Sequence, residues 1–152
     1  GVRRRGGRSK TMSNAILIVD DSATIRAMVK RTVRMIGLDV GEIYEASNGI
    51  EALARLADHE VAVLLVDINM PTMNGIQLLT RMKQSDRLKD IPIVIASTEG
   101  SEKRIEQLHE LGVAGYVRKP FRPEQLRDVL VPLLGVTQDA GSNDNDADGG
   151  LF

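Results

Sequence analysis

Short, uninterrupted apolar runs separated by stretches of helical period constrain this chain more than any other feature. The runs occupy residues 15–19, 61–66, 91–96 and 115–117, and a short stretch over residues 42–46, broken by Glu45, reads as a further strand. A strand that is apolar on successive residues has to be covered on both faces, which is the condition of a parallel sheet with helices on either side. Between the runs, Ile25, Met28, Val29, Thr32, Val33 and Ile36 recur at helical spacing. So do Ile105, Leu108 and Leu111, and Leu126, Val129, Leu130, Leu133 and Leu134. The pattern predicts an α/β domain of five strand–helix units without internal repeat.

Local chemistry marks the ends of these elements. Ser22 suits an N-cap and Gly37 a stop for the first helix, the second spans residues 49–57, Asn74-Gly75 opens the third, which reaches about Lys83, and Gly112 closes the fourth, residues 101–111. Pro123 falls in the first turn of the last helix, where its missing N–H costs nothing. Pro132, inside that helix, predicts a kink or an early end. His59 and His109 are expected to face solvent, without a metal-ligand neighbour, and the methionines at 28, 35, 70, 73 and 82 to fill core or loops.

The chain's 152 residues carry a net charge of only −1, but unevenly distributed. Residues 1–13 hold five basic and no acidic side chains, and residues 135–152 hold four acidic and no basic ones. Both stretches are too poor in apolar residues to offset the entropy of ordering themselves. The folded unit is therefore expected over residues 14–134, between a basic disordered arm and an acidic disordered tail. The arm has no aromatic residue to stack on bases, and with Met12 available as a start it reads as an upstream extension, not a nucleic-acid arm. In the tail, Asp144, Asp146, Asp148 and Gly149 match the opening of a calcium loop, yet the Glu needed at its twelfth position falls past Phe152. A solvated tail is the simpler reading. The absence of cysteine excludes disulfides, thiolate zinc sites and thiol nucleophiles. No apolar run approaches the roughly 20 residues of a membrane helix, and no signal-peptide pattern opens the chain, so a soluble, cytoplasmic protein is expected.

Chemistry-bearing residues follow the strands directly: Asp20 and Asp21 the first, Asp67 the third, Ser97 the fourth and Lys119 the fifth. In open parallel sheets, ligand sites form in the crevice beyond those carboxyl ends. Three carboxylates gathered there repel one another unless a cation compensates, and a hard divalent ion such as Mg²⁺ suits an all-oxygen ligand set. Each feature taken singly is ambiguous, since Asp20-Asp21-Ser22 also makes a helix-capping turn. Their joint order and spacing are far more specific.

The blocks ILIVDDS (residues 16–22), VDINMPTMNG (66–75), ASTE (96–99) and GYVRKPF (115–121) resemble the signature segments of response-regulator receiver domains. The resemblance covers residues 14–134 and is strongest to the stand-alone CheY-like regulators of chemotaxis. It implies a doubly wound, flavodoxin-like sheet of five parallel strands in the order 2-1-3-4-5, with five helices. It further implies that Asp67 accepts a phosphoryl group from a phosphohistidine on a sensor histidine kinase. Asp21 would bind Mg²⁺ directly, Asp20 mainly through water, and Asn69 through its backbone carbonyl. Lys119 and Ser97 would hold the phosphoryl oxygens, and Lys119–Pro120 would be a cis peptide.

By the same resemblance, Ser97 and Tyr116 would couple phosphorylation to the face of the fourth helix, fifth strand and fifth helix, where a downstream target docks. Asn69 and Glu99 would flank the path of hydrolytic water and give a short-lived phosphoryl state, which a partner phosphatase could shorten further. Two positions depart from the commoner pattern: Asn74 stands where Asp is usual and Ser97 where Thr is usual. Both keep the relevant chemistry, although Ser97 lacks the methyl group that would tighten its coupling to Tyr116. Three other readings share parts of the site. A phosphorelay intermediate or adaptor would use the same residues. A Mg²⁺-dependent aspartyl phosphatase would want an acid at position 69, where Asn stands. A flavin carrier would want a phosphate-binding loop where Asp20 and Asp21 stand.

Overall fold

Five four- or five-residue strands and five helices alternate along the chain in a computed structural model that describes residues 14–98 and 100–135. They are β1 (Ile16–Val19), α1 (Ala23–Met35), β2 (Ile43–Ala46), α2 (Gly49–Asp58), β3 (Val63–Val66), α3 (Gly75–Lys83), β4 (Ile93–Ser97), α4 (Glu102–Glu110), β5 (Gly115–Arg118) and α5 (Pro123–Leu134). All strand pairs are parallel, in the order β2-β1-β3-β4-β5. This is the doubly wound arrangement expected. The predicted arm and tail, and Glu99, lie outside the described residues.

The sheet separates two apolar layers, and strand alternation assigns side chains to each. Leu17, Val19, Leu64, Val66, Ile93 and Ile95 face α2, α3 and α4 through Ala52, Leu56, Leu78, Leu79, Met82 and Leu108. Ile16, Ile18, Val63, Leu65, Val94 and Ala96 face α1 and α5 through Val29, Val33, Leu126, Leu130 and Leu134. Because both layers are apolar, a slip of one residue in any central strand would not expose polar surface. Register is pinned instead at the carboxyl ends, where Asp67 N–H donates to the Val19 carbonyl and Asp20 N–H to the Ala46 carbonyl.

Ser22 and Asn74 cap their helices as the sequence predicts, whereas Ser101, expected as the first residue of the fourth helix, is its N-cap. The side chains of Ser22, Asn74 and Ser101 accept from the backbone amides of Ile25, Gln77 and Arg104, and Asn74 forms a reciprocal capping box with Gln77. Gly37 and Gly112 have positive φ of 77° and 84°, the conformation that ends a helix most readily.

Three expectations need correction. Of the kink or early end expected at Pro132, the early end does not occur: helix α5 continues to Leu134 and its apolar stripe continues with it. The proline sits in its last turn, where little helix remains to disrupt, and burial of Leu126, Leu130 and Leu134 holds the helix against the sheet. His59 does not simply face solvent: it is half-buried and stacks on Tyr44, with ring centroids 4.1 Å apart. Met70, Met73 and Met82 are buried, whereas Met28 and Met35 are exposed on α1. Met28 forms one wall of a largely apolar cavity of about 320 Å³ between α1 and the segment Lys119–Phe121.

Candidate functional site

The carboxyl ends of β1, β3, β4 and β5 bring four chain segments to one crevice. Asp20, Asp21 and Asp67 each offer a carboxylate oxygen, and these atoms lie within 4.8 Å of one another. The three differ in burial: Asp20 is 4% exposed, Asp67 is half-buried and Asp21 stands in solvent. Lys119, arriving from β5, places Nζ 2.5 Å from Asp20 Oδ2 and 3.6 Å from Asp67 Oδ2. Three negative charges and one positive leave an excess of two. A divalent cation would cancel it, and the all-oxygen donor set fits a hard ion of that charge.

Each position is built locally. Asp20 closes β1, and its Oδ1 accepts from the Ser22 amide at 2.9 Å, while Lys119 donates to Oδ2. Both of its oxygens are thus engaged, which suits a carboxylate that reaches a cation through water. Asp21 follows one residue later, exposed, with a carboxylate oxygen within 4.8 Å of those of Asp20 and Asp67. Asp67 leaves β3 with Oδ1 3.4 Å from the Asn69 amide. Burial pushes its pKa above the ordinary value of 3.8, the neighbouring Lys119 charge opposes that rise, and Asp20 reinforces it. A carboxylate whose charge is poorly solvated before reaction has a stronger drive to share its electrons.

The connection after Asp67 depends on glycine. A Cβ on Gly75 would lie 2.5 Å from the Asp67 carbonyl oxygen and 2.9 Å from the Ile68 Cα, so any larger residue would push the loop after Asp67 away. Gly75 N–H also donates to the Ile68 carbonyl at 2.9 Å, closing the loop on itself. Within it, Thr72 has a φ of 67°, a left-handed conformation that a β-branched side chain resists. The loop's far end is tied to α2 by the Gly49 amide, which donates to the Met73 carbonyl.

Ser97 ends β4 fully buried, and its carbonyl accepts from the Lys119 amide at 2.8 Å. The Lys119–Pro120 peptide is cis, as the resemblance implies. Tyr116 pairs in register with Ile95, and Ser97 with Arg118. Ser97 and Tyr116 therefore belong to the same face of the sheet on adjacent strands, a diagonal pairing within reach of an aromatic side chain. Tyr116 packs against the layer formed with α2, α3 and α4, and its hydroxyl oxygen is buried. Asn69 is exposed at the rim of the crevice.

Sequence reasoning missed one participant. Arg26, one turn into α1, donates from Nη1 to the Asp20 carbonyl at 2.6 Å and from Nε to Glu45 Oε1 at 2.9 Å. Its signal was a charged residue beside the buried stripe of α1, unremarkable without knowledge that β2 lies alongside.

Comparison with known proteins agrees with this geometry. The family profile of the response regulator receiver domain matches residues 16–131. The chemotaxis protein CheY1 of Helicobacter pylori is 38% identical over 121 residues, 79% of this chain and 96% of that protein. Among solved structures, the chemotaxis protein CheY4 of Vibrio cholerae superposes with a TM-score of 0.71 at 34% identity, over 81% of this chain and 99% of that one. The Mn²⁺-bound form of the response regulator Rcp1 superposes with a TM-score of 0.69 at 26% identity, over 81% of this chain and 96% of that one.

Proposed function

This chain belongs to the response-regulator receiver family and is CheY-like in kind, and from that premise we propose that it accepts a phosphoryl group on Asp67 from a phosphohistidine of a sensor histidine kinase. One observation carries the reading: the Asp67 carboxylate lies within 4.8 Å of two further carboxylates and 3.6 Å from the Lys119 ammonium, at the end of a central strand. A carboxylate oxygen attacks phosphorus, the phosphorus–nitrogen bond to the kinase imidazole breaks, and an aspartyl phosphate results. When bound among Asp20, Asp21, Asp67 and the Asn69 carbonyl, Mg²⁺ supplies charge neutralisation for the phosphoryl oxygens. Binding of Mn²⁺ by the structurally similar Rcp1 supports an ion of this class.

The remaining roles belong to the chain itself. Lys119 moves its point charge from Asp20 toward a phosphoryl oxygen, and Ser97 donates its hydroxyl proton to another. Drawing Ser97 toward the phosphoryl group favours the inward position of Tyr116, and the face of α4, β5 and α5 shifts toward the form that a downstream target binds. Because this is a shift of populations, target binding favours phosphorylation by the same free energy. Asn69, exposed at the rim of the crevice, borders the route of hydrolytic water, which gives a short-lived phosphoryl state; an adduct that persists for many hours with Mg²⁺ present contradicts that assignment. The output belongs to two-component signalling in the cytoplasm, of the chemotaxis type.

Intact mass after incubation with Mg²⁺ and a small acyl phosphate tests the reading. One phosphoryl mass is expected on the wild type, and none with a chelator or on Asp67→Asn. No adduct at early times, from either the small donor or a phosphohistidine donor, overturns it.

A further inference from the structure

We propose that Arg26 is a positioning residue for the acidic pair Asp20–Asp21, held in aim by Glu45 on the edge strand β2. The inference rests on the reading of that pair as cation ligands, and goes beyond it by assigning what keeps the pair in place.

Asp20 is fastened at every polar atom. Its amide donates to the Ala46 carbonyl at 3.0 Å, its carboxylate takes Ser22 N–H and Lys119 Nζ, and its carbonyl takes Arg26 Nη1 at 2.6 Å. The exposed Asp21 carboxylate has no comparable fastening among the described residues. Its direction is set by its backbone, and the Asp20 carbonyl and the Asp21 amide belong to one rigid peptide plane. A strong donor on that carbonyl therefore fixes the plane from which Asp21 departs toward the crevice.

Arg26 is better equipped for this task than Lys would be. Its side chain is only 16% exposed, and the planar guanidinium donates in two directions at once, Nη1 to Asp20 and Nε to Glu45. The Glu45 carboxylate is engaged by Arg26 and Lys30. It holds the guanidinium plane from β2 through Arg26, with Lys30 Nζ 3.5 Å from its other oxygen. A partner that orients a metal ligand without binding the metal commonly contributes tenfold or more to affinity. A simple staple between α1 and β2 would contribute to stability alone, and this difference separates the two roles.

The test measures Mg²⁺ affinity by calorimetry and the thermal midpoint without Mg²⁺, on the full chain and on Arg26→Ala, Arg26→Lys and Glu45→Gln. Arg26→Ala is expected to weaken Mg²⁺ binding about tenfold, Arg26→Lys to recover part of the loss, and Glu45→Gln to weaken it severalfold. Adding Glu45→Gln to Arg26→Ala is expected to cost no further affinity, because Glu45 acts through Arg26. Should Arg26→Ala not fold, Arg26→Lys and Glu45→Gln carry the same comparison. Lowered midpoints with wild-type Mg²⁺ affinity throughout would make Arg26 a staple only and overturn the proposal. A wild-type chain that binds no Mg²⁺ would overturn the cation reading itself.

Discussion

Lys119 reaches Asp20 more closely than Asp67: Nζ stands 2.5 Å from Asp20 Oδ2 and 3.6 Å from Asp67 Oδ2. The unphosphorylated site thus keeps its cation on the carboxylate that is most deeply buried, 4% exposed, while leaving it one short movement from the proposed acceptor. The arrangement neutralises the charge that water screens least, and keeps the lysine within reach of Asp67.

Lys119→Ala separates these two duties. Removing the ammonium leaves three carboxylates without their cation, so Mg²⁺ binding should tighten severalfold in a calorimetric titration. Phosphorylation by a small acyl phosphate should nevertheless slow tenfold or more at saturating Mg²⁺, because the point charge on the transferring group is gone. A variant that binds Mg²⁺ more weakly would contradict the charge argument.

Asp67→Asn should stabilise the Mg²⁺-free protein. Burial raises the Asp67 pKa above its ordinary value of 3.8, so the folded state holds its proton more tightly than the unfolded state does. Stability contributed by the protonated form is present below the unfolded pKa and is lost as pH rises through the folded one. At neutral pH the ionised carboxylate is therefore a cost, and the neutral amide should raise the thermal midpoint. The gain should shrink as pH approaches 3.8. A gain independent of pH would point to some other cause.

Gly75→Ala should damage both fold and site, since the new Cβ would meet backbone atoms that cannot rotate aside. A loss of about 1–3 kcal/mol in denaturant unfolding is expected, as for other overpacked positions. The phosphorylation rate should fall as well, because the displaced atoms belong to Asp67 and Ile68. Unchanged stability with an unchanged rate would show that the β3–α3 connection yields more easily than its geometry indicates.

Thr72→Asn should act in the opposite direction. Asparagine tolerates the left-handed backbone that a β-branched residue resists. The variant should gain about 1 kcal/mol by urea midpoint at unchanged slope. A loss would show that the threonine side chain contributes more than its backbone costs.

Much of this was legible in the sequence because it is local. Ser22, Asn74 and Ser101 cap helices through contacts three residues away, and the apolar runs declare a buried parallel sheet by themselves. Asp20, Asp21, Asp67, Ser97 and Lys119 were legible as a group because each stands at or just past the carboxyl end of a strand, and parallel strands share one end. Less legible were features decided by elements distant in the chain. Arg26 meets Glu45 across 19 positions, and His59 finds Tyr44 only once α2 has folded back over β2. Gly75 signals a turn in sequence, but its close approach to the Asp67 carbonyl requires the folded loop. Pro132 misled because local propensity predicts a break, and burial of Leu130 and Leu134 outweighs it at a position so near the helix end.

The central claim is that Asp67 itself carries the phosphoryl group, and borohydride trapping tests it most directly. Reduction converts an aspartyl phosphate to homoserine, and peptide mass spectrometry then locates the changed residue. After reaction with an acyl phosphate, homoserine at position 67 alone, dependent on Mg²⁺, is the predicted result. Homoserine at Asp20 or Asp21, or at no position despite efficient trapping in a control acyl phosphate, would contradict the account.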